Sequence, residues 1–289
     1  MKIIILIPVY NDWKSVSKLL DEINSQVTEL KDDFSIIIVN DASTEKQSIY
    51  APNLQNIKSI KLINMKKNIG HARCIATGLK HILENEEFDY VIPMDGDGED
   101  RPEEIKNFIE YTNYSPDRPI VGERIKRSES LFFKLCYTFH KILTYTFTGQ
   151  SIKFGNYTCI PKSTIEKLIS DKATWSSFSG AFAKLEKDRS STSSIRGKRY
   201  FGPSKMSFKN LILHSLSIIS VFKFNVLIRS ILFLAVYMFL IHQNINSIML
   251  TPVFLVLLLL ILIFSISNRE NLNELNNSLL NIYNIDNIK

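Results

Sequence analysis

Three scattered cysteines, Cys74, Cys136 and Cys159, are all that the chain carries. Odd in number and without a Cys-x-x-Cys pair, they indicate neither a disulfide framework nor a zinc site, and a reducing cytosol suits them. No secretory signal opens the chain. Lys2-Ile3-Ile4-Ile5-Leu6-Ile7 is too short for one and runs straight into Pro8, so it reads as a buried strand. No nucleic-acid motif accompanies the net charge of +6. Part of that charge lies between Arg189 and Lys209, where an anionic partner fits, and a membrane accounts for it better than nucleic acid does. The most telling absence is of charge itself: residues 230–268 contain no Asp, Glu, Lys or Arg.

That charge-free stretch breaks once, at His242-Gln243-Asn244-Ile245-Asn246-Ser247. The apolar runs on either side are about 17–20 residues, enough for one bilayer crossing each. They predict a transmembrane hairpin within 225–267, roughly 225–242 and 248–266, with Pro252 tolerated in the first turn of the second helix. A buried hairpin in a soluble domain is the alternative. The run VFLVLLLLILIF over 253–264 exceeds what a domain of this size needs. Lys205, Lys209, Lys223 and Arg229 precede the hairpin, Arg269 follows it, and the connecting turn has no cation. The positive-inside rule then puts residues 1–205 in the cytoplasm, as the soluble domain of a multi-pass protein of a bacterial inner membrane. Residues 129–147 carry Ser130, Lys134, Thr138, Lys141 and Tyr145 at helical spacing, which fits either a core helix or a helix on the membrane interface. Residues 206–224 show a similar polar stripe and read as a second interfacial helix. The Asn-rich tail, 268–289, reads as a short surface helix or as a helix for homo-oligomer contact.

The first half alternates strands and helices. Residues 2–7, 35–39, 60–64 and 90–94 are continuous apolar strands, with helices over about 15–30 and 72–83. Such strands belong to a mostly parallel α/β sheet covered on both faces, and ligands bind at the carboxyl ends of its strands. Loops 8–12, 40–44 and 95–100 all fall at that edge. A further strand begins at Ile120-Val121-Gly122, residues 153–169 return to strand, turn and helix, and the polar segment 190–205 reads as a loop.

The richest loop is VIPMDGDGEDRPEE, residues 91–104. A buried strand ends in Asp95, Asp97, Glu99 and Asp100, an unfavourable gathering of like charge unless a cation offsets it. Hard oxygen donors of this kind suit Mg²⁺ or Mn²⁺. Gly96 and Gly98 permit a tight turn, and Pro102 starts a helix with Glu103 and Glu104 in its first turn. An EF-hand is excluded, because the twelfth position counted from Asp95 is Lys106. A solvated acidic turn is the bland alternative.

Five segments in order, IPVYND (7–12), VNDASTE (39–45), NIGHARCIATGL (68–79), MDGDGEDRPEEI (94–105) and RGKRYFGPSKMS (196–207), resemble the inverting family-two glycosyltransferases with a GT-A-type, Rossmann-like nucleotide-sugar domain. The similarity is greatest to the branch of dolichyl-phosphate mannose synthase and the bacterial polyprenyl-phosphate glycosyltransferases. The resemblance implies a donor site for a UDP- or GDP-linked sugar at Pro8, Tyr10, Asp12, Asp41, Asn68, Gly70, Asp95 and Gly96. It implies a metal held by Asp95, Asp97 and Glu99, with Asp97 nearest the diphosphate. Arg124 matches the branch's acceptor-phosphate arginine, and Ser204-Lys205 its closing motif, so Asp97, Arg124 and Lys205 are the implied catalytic residues. There are departures. Gly96 stands where the family usually has Ala, and Lys153 where the branch often has an acidic residue. Arg196-Gly-Lys-Arg199-Tyr200 only partly echoes the processive Q/R-x-x-R-W motif.

An alcohol acceptor needs a general base, whereas a phosphate acceptor is already anionic and needs cations. The chain offers Arg124, Arg127, Arg196, Arg199 and Lys205 and no isolated base, which favours polyprenyl phosphate as acceptor. Two other readings stand beside it: transfer of a sugar to a lipid-linked glycan, and a catalytically silent envelope scaffold.

Overall fold

The computed structural model describes residues 1–49, 54–127, 131–203, 207–243 and 245–289. Among them eight strands form one sheet: β1 (Lys2–Val9), β2 (Asp33–Asn40), β3 (Ile57–Met65), β4 (Tyr90–Pro93), β5 (Ile120–Arg127), β6 (Thr158–Pro161), β7 (Ser190–Arg196) and β8 (Ile282–Asn287). Their order is β7-β5-β6-β4-β1-β2-β3-β8. β1 pairs in parallel with β2 and β4, β2 with β3, and β5 with β7, while β6 and β8 run antiparallel to their neighbours. The other six strands therefore end on one edge. The helices are α1 (Trp13–Gln26), α2 (His71–Asn85), α3 (Ile105–Tyr114), α4 (Leu131–Thr148), α5 (Lys162–Ser170), α6 (Phe178–Leu185), α7 (Phe208–Ser220), α8 (Lys223–Ile241), α9 (Thr251–Ser267) and α10 (Leu272–Asn276).

β1 shows why the sheet is covered twice. Its side chains alternate between faces. Ile3, Ile5 and Ile7 pack with Val16, Leu19 and Ile23 of α1, and Ile4 and Leu6 pack with Ile75, Leu79 and Ile82 of α2. An unbroken apolar strand is what burial on both faces requires.

Two expectations are corrected here. Residues 190–196 are not loop but β7, paired in parallel with β5 from Ile120↔Ser190 to Arg127↔Arg196 with a register shift between Arg124 and Lys126. Its inward positions are Thr192 and Ser194, so the strand has no apolar signature, and the ladder with β5 holds it. The tail is not simply a helix. α10 is one short turn, and β8 then returns to pair with β3, so residues 282–287 belong to the main sheet. Leu275 is fully buried beside Ala76 and Trp175, which anchors the tail to α2.

β5 and β7 end on the carboxyl edge and lead towards α4 and α7. These helices form a second layer with α8 and α9, where Ile219, Val226 and Ile263 are buried against Leu143, Phe147 and Leu216. Arg229 donates to Thr146 O at 3.1 Å and Asn225 to Thr148 O at 3.3 Å, satisfying carbonyls at the end of α4, where a cation also complements the helix dipole. Gly149 closes that end with φ +74°. Lys223 reaches Glu270 at 2.9 Å, joining the start of α8 to the chain just after α9. α8 and the helix beginning at Thr251 are long and apolar enough to cross a membrane. Much of their apolar surface faces outward, including Phe224, Leu232, Phe239 and Leu258.

Gly78 of α2 lies flat on β1: a Cβ there would meet Leu6 Cδ1 at 2.5 Å. Alanine gains about 1 kcal/mol of helix propensity over glycine, and overpacking a tight core costs about 1–3 kcal/mol. Because Leu6 is fully buried, overpacking wins. Gly78→Ala is expected to destabilise the chain by ~1 kcal/mol and lower its unfolding midpoint in detergent; a raised midpoint would show that Leu6 repacks without cost.

Candidate functional site

The carboxyl edge gathers the loops after β1, β2, β4 and β7. Asn11 fixes the first against the second. It sits at φ 51°, its Oδ1 accepts from Thr44 N and Glu45 N at 2.8 and 3.0 Å, and its own N–H donates to Ser43 Oγ at 2.9 Å. Pro8 is buried in β1, while Tyr10 is 39% exposed at the mouth of the edge. Gly96 is closely packed: a Cβ would stand 3.1 Å from Val16 Cγ2 and 3.3 Å from Pro8 O. Glycine thus lets the acidic turn lie against the end of β1, and the alanine usual in the family would require a shift of a few tenths of an ångström.

Within the turn, Asp95 faces His71 Nε2 at 3.0 Å, with Asn156 Nδ2 at 3.5 Å. The Asp95 N–H donates to Asp100 Oδ2 at 3.0 Å, and Arg124 Nη2 lies 3.9 Å from Asp100 Oδ1. Glu99 N–H donates to Asp97 Oδ1 at 2.9 Å. Over these carboxylates lies the segment after β7. Gly197 N–H donates to Glu99 O at 2.8 Å and Tyr200 N–H to Asp97 O at 3.0 Å, so backbone is tied to backbone. Arg196 pairs with Glu99, and Arg199 bridges Asp97 and Asp12, each at 2.5 Å. The Tyr200 ring covers Gly98, whose φ is +84° and whose Cβ, if present, would sit 2.3 Å from that ring.

Burial decides the electrostatics, modified by neighbours. It raises the Asp95 carboxyl, but the charge and hydrogen bond of His71 outweigh it and hold Asp95 well below the usual carboxylate range. Burial lowers the His71 imidazole, and the Asp95 carboxylate more than reverses this, so His71 ends up raised. Burial, then the Asp95 charge, push Asp100 up to about 7. Burial and Asp95 raise Asp97, and burial raises Glu99 against the pull of Arg196.

The structure brings Asp12, Asp95, Asp97, Glu99, Arg124, Arg196 and Arg199 into one site. Arg196 and Arg199, expected at the acceptor phosphate, face the acidic turn, because the β5–β7 pairing delivers the segment over it. Asp41, expected on the donor, is 4% exposed and accepts from Ile69 N and Gly70 N at 2.7 and 2.9 Å. It therefore shapes the turn that holds the exposed Asn68 and Gly70. Arg127 ends β5; its side chain, with Ser204 and Lys205, lies outside the described residues. Lys153 pairs with Glu123 at 2.8 Å. The roles of Asn11, Asn156 and Tyr200 are not readable from the sequence, since each depends on a partner from a distant loop. His71, which the sequence suggests as either a structural turn or a donor contact, opens α2 directly after Gly70 and faces Asp95.

The donor chemistry fits a hard divalent cation. Among the described residues, however, no three His, Cys, Asp or Glu side chains converge on one cation position. Mg²⁺ is commonly held by only one or two carboxylates together with substrate phosphates, which this arrangement can supply.

Residues 4–165 match Glycosyl transferase family 2, and the chain belongs to that family. It is 27% identical over 220 residues to the undecaprenyl-phosphate 4-deoxy-4-formamido-L-arabinose transferase of Pectobacterium atrosepticum, covering 72% of this chain and 63% of that one. The enzyme of the same name from Photorhabdus laumondii is 26% identical over 223 residues, covering 73% and 65%. The chain thus spans a little under two thirds of the length of these relatives. Glucosyl-3-phosphoglycerate synthase from Mycobacterium tuberculosis, solved with Mn²⁺, UDP-glucose and phosphoglyceric acid, superposes with a TM-score of 0.53 at 12% identity, over 78% of this chain and 79% of that one. The fold is a GT-A fold with a mostly parallel mixed sheet, and two apolar helices follow it.

A carboxyl raised in the folded state keeps its proton there while the unfolded chain has lost it. Stability therefore falls as pH rises from the unfolded value, about 4, towards about 7. His71, also raised, acts in the same direction above its unfolded value of about 6.5. In EDTA, the unfolding midpoint is expected to drop between about pH 5 and about pH 8, with Asp100→Asn removing a share on the order of 1–3 kcal/mol. A midpoint that climbs across this range would contradict the assignment.

Proposed function

We propose that the chain moves a sugar from a nucleotide-diphospho-sugar to a polyprenyl phosphate, undecaprenyl phosphate in a bacterium, at the cytoplasmic face of the membrane. The observation that carries this is the site's composition. Its described carboxylates each have a cation or N–H partner, leaving no evident base, while three arginines converge at the edge from which the chain runs into the apolar hairpin layer. A phosphate acceptor needs no base. Its oxygen attacks the anomeric carbon from the face opposite the diphosphate, a new C–O bond forms, and the nucleoside diphosphate leaves with the electron pair of the broken one. Configuration inverts.

Asp97, with Asp95 and Glu99 as further oxygen donors, would hold Mg²⁺ or Mn²⁺, whose charge would stabilise the departing diphosphate. Arg124, beside Asp100 and closely packed on Gly155, would hold the acceptor phosphate. Asp12, Tyr10 and the turn around Asn68 and Gly70 form the donor side. α8 and α9 cross the bilayer as a hairpin, with Lys223 and Arg269 at its cytoplasmic ends and α4 and α7 lying at the interface. The relatives' names support the acceptor assignment, and the Mn²⁺ and UDP-glucose of the solved synthase support the donor and the metal.

The test uses purified chain in detergent with radiolabelled UDP- and GDP-sugars, Mn²⁺ and undecaprenyl phosphate. A one-sugar lipid phosphate is the expected product; transfer only to a preformed lipid-linked glycan would overturn the acceptor assignment. Asp97→Ala is expected to lower turnover at least about 100-fold with the protein still folded, and activity persisting in EDTA would remove the metal from the scheme. Arg124→Ala should cost about 1.5–3 kcal/mol of acceptor binding, roughly 10–100-fold in acceptor KM, with nucleoside diphosphate affinity changed far less.

A further inference from the structure

We infer that the C-terminal tail is a clamp on the donor loop, and that Glu274 is a positioning residue for the transfer reaction. The inference rests on the proposed function for what that loop contacts. It rests on the following geometry for everything else.

The loop joining β3 to α2, residues 66–70, carries Asn68 and Gly70 and ends at His71, which faces Asp95. The tail grips it at both ends. At its start, β8 pairs with β3 as far as Met65↔Ile282, Lys66 N–H donates to Asn281 O at 2.8 Å, and Lys66 Nζ reaches Leu280 O at 2.7 Å. Two residues before Lys66, Asn64 Nδ2 donates to Asp286 at 2.8 Å, while Asn64 Oδ1 accepts from Asn40 at 2.8 Å, beside the β2 loop. At its far end, Glu274 accepts from Trp175 Nε1 at 2.6 Å and pairs with Arg73 at 3.7 Å, and Arg73 lies over the Trp175 ring at 5.2 Å. Ile69, from within the loop, packs on the cluster of Ala76, Trp175 and Leu275.

Glu274 is itself held in place. Asn271 caps α10 by accepting from Glu274 N–H at 3.0 Å, and Asn271 Nδ2 donates to Glu274 Oε1 at 3.1 Å. This reciprocal cap leaves Oε2 to face Trp175 and Arg73. Arg73 lies two residues from His71 in the first turn of α2. A shift of that turn therefore moves both the imidazole facing Asp95 and the backbone of the donor loop. The tail begins just after Glu270, which is paired with Lys223 at the base of the hairpin. The apolar helices and the donor loop are thereby joined through some twenty residues that carry no catalytic group.

The experiment uses the full chain in detergent. In the wild type, amide exchange at Lys66 and Ile69 is expected to open together with that of residues 282–286, as one unit; independent opening would overturn the clamp without any variant. Glu274→Gln and Arg73→Gln should each speed exchange over 66–71 and weaken UDP or GDP binding in Mn²⁺ by about fivefold, leaving the KM for undecaprenyl phosphate within about twofold. Glu274→Asp should restore part of the loss. Equal rises in donor and acceptor KM, or unchanged exchange and nucleotide affinity, would overturn the positioning role. Wild-type chain without turnover for any sugar would sink the proposed function, while the exchange experiment would still decide the clamp.

Discussion

Carboxylates brought together at one buried sheet edge must be met by positive charge, and most of the site follows from that. At a separation of about 4 Å and an effective dielectric of about 20, each like-charge contact costs about 4 kcal/mol. Asp95, Asp97, Glu99 and Asp100 share one turn, and Asp12 joins them from the end of β1. The chain answers with cations from elsewhere: His71 from the start of α2, Arg124 from β5, Arg196 from the end of β7 and Arg199 just beyond it. Asp100 is relieved in another way, because burial and then the Asp95 charge push its carboxyl up to about 7. The sheet topology serves this requirement. β5 and β7 run in the same direction as β4, so their ends deliver arginines to the edge where β4 delivers acids.

This explains what was legible in the sequence and what was not. The parallel sheet was readable, because burial on two faces leaves unbroken apolar strands such as residues 3–7 and 36–39. The acidic turn was readable because its residues are contiguous. The apolar helices were readable from the lack of charge between Ser230 and Asn268. β7 was not, because its inward residues are Thr192 and Ser194, which bury on a sheet without marking it as apolar. β8 was missed because its side chains are mostly exposed and its pairing partner lies more than two hundred residues away. A shorter separation, 28 and 29 residues, hid the backbone contacts of Asp41. An aspartate at a strand end reads as a ligand-binding group, and here it accepts two backbone N–H groups and shapes the turn around Gly70.

The arginines teach the larger lesson. From the sequence, Arg196 and Arg199 are cations in a basic segment, and a phosphate acceptor is a natural partner for them. In the folded chain they already have partners, and Arg199 holds two carboxylates from different loops. Composition says how much charge is present; only topology says which charges meet.

Charge balance then bears on how the proposed reaction must proceed. Asp12, Asp95, Asp97, Glu99 and Asp100 lie against His71, Arg124, Arg196 and Arg199, so the cationic side chains of the site already face carboxylates. A nucleoside diphosphate and a lipid phosphate each add negative charge, and these arginines already face carboxylates. Two routes can supply positive charge: a divalent cation entering with the diphosphate, or arginines released from the acidic turn. The two are linked. Were Asp97 to hold that cation, Arg199 would lose one of its two carboxylate partners, and its guanidinium fork suits a phosphate as well as it suits a carboxylate. On the proposed reading, binding of metal and donor at Asp97 would act on the segment after β7 through Arg199. The acceptor phosphate would then meet its cations only once the donor is in place.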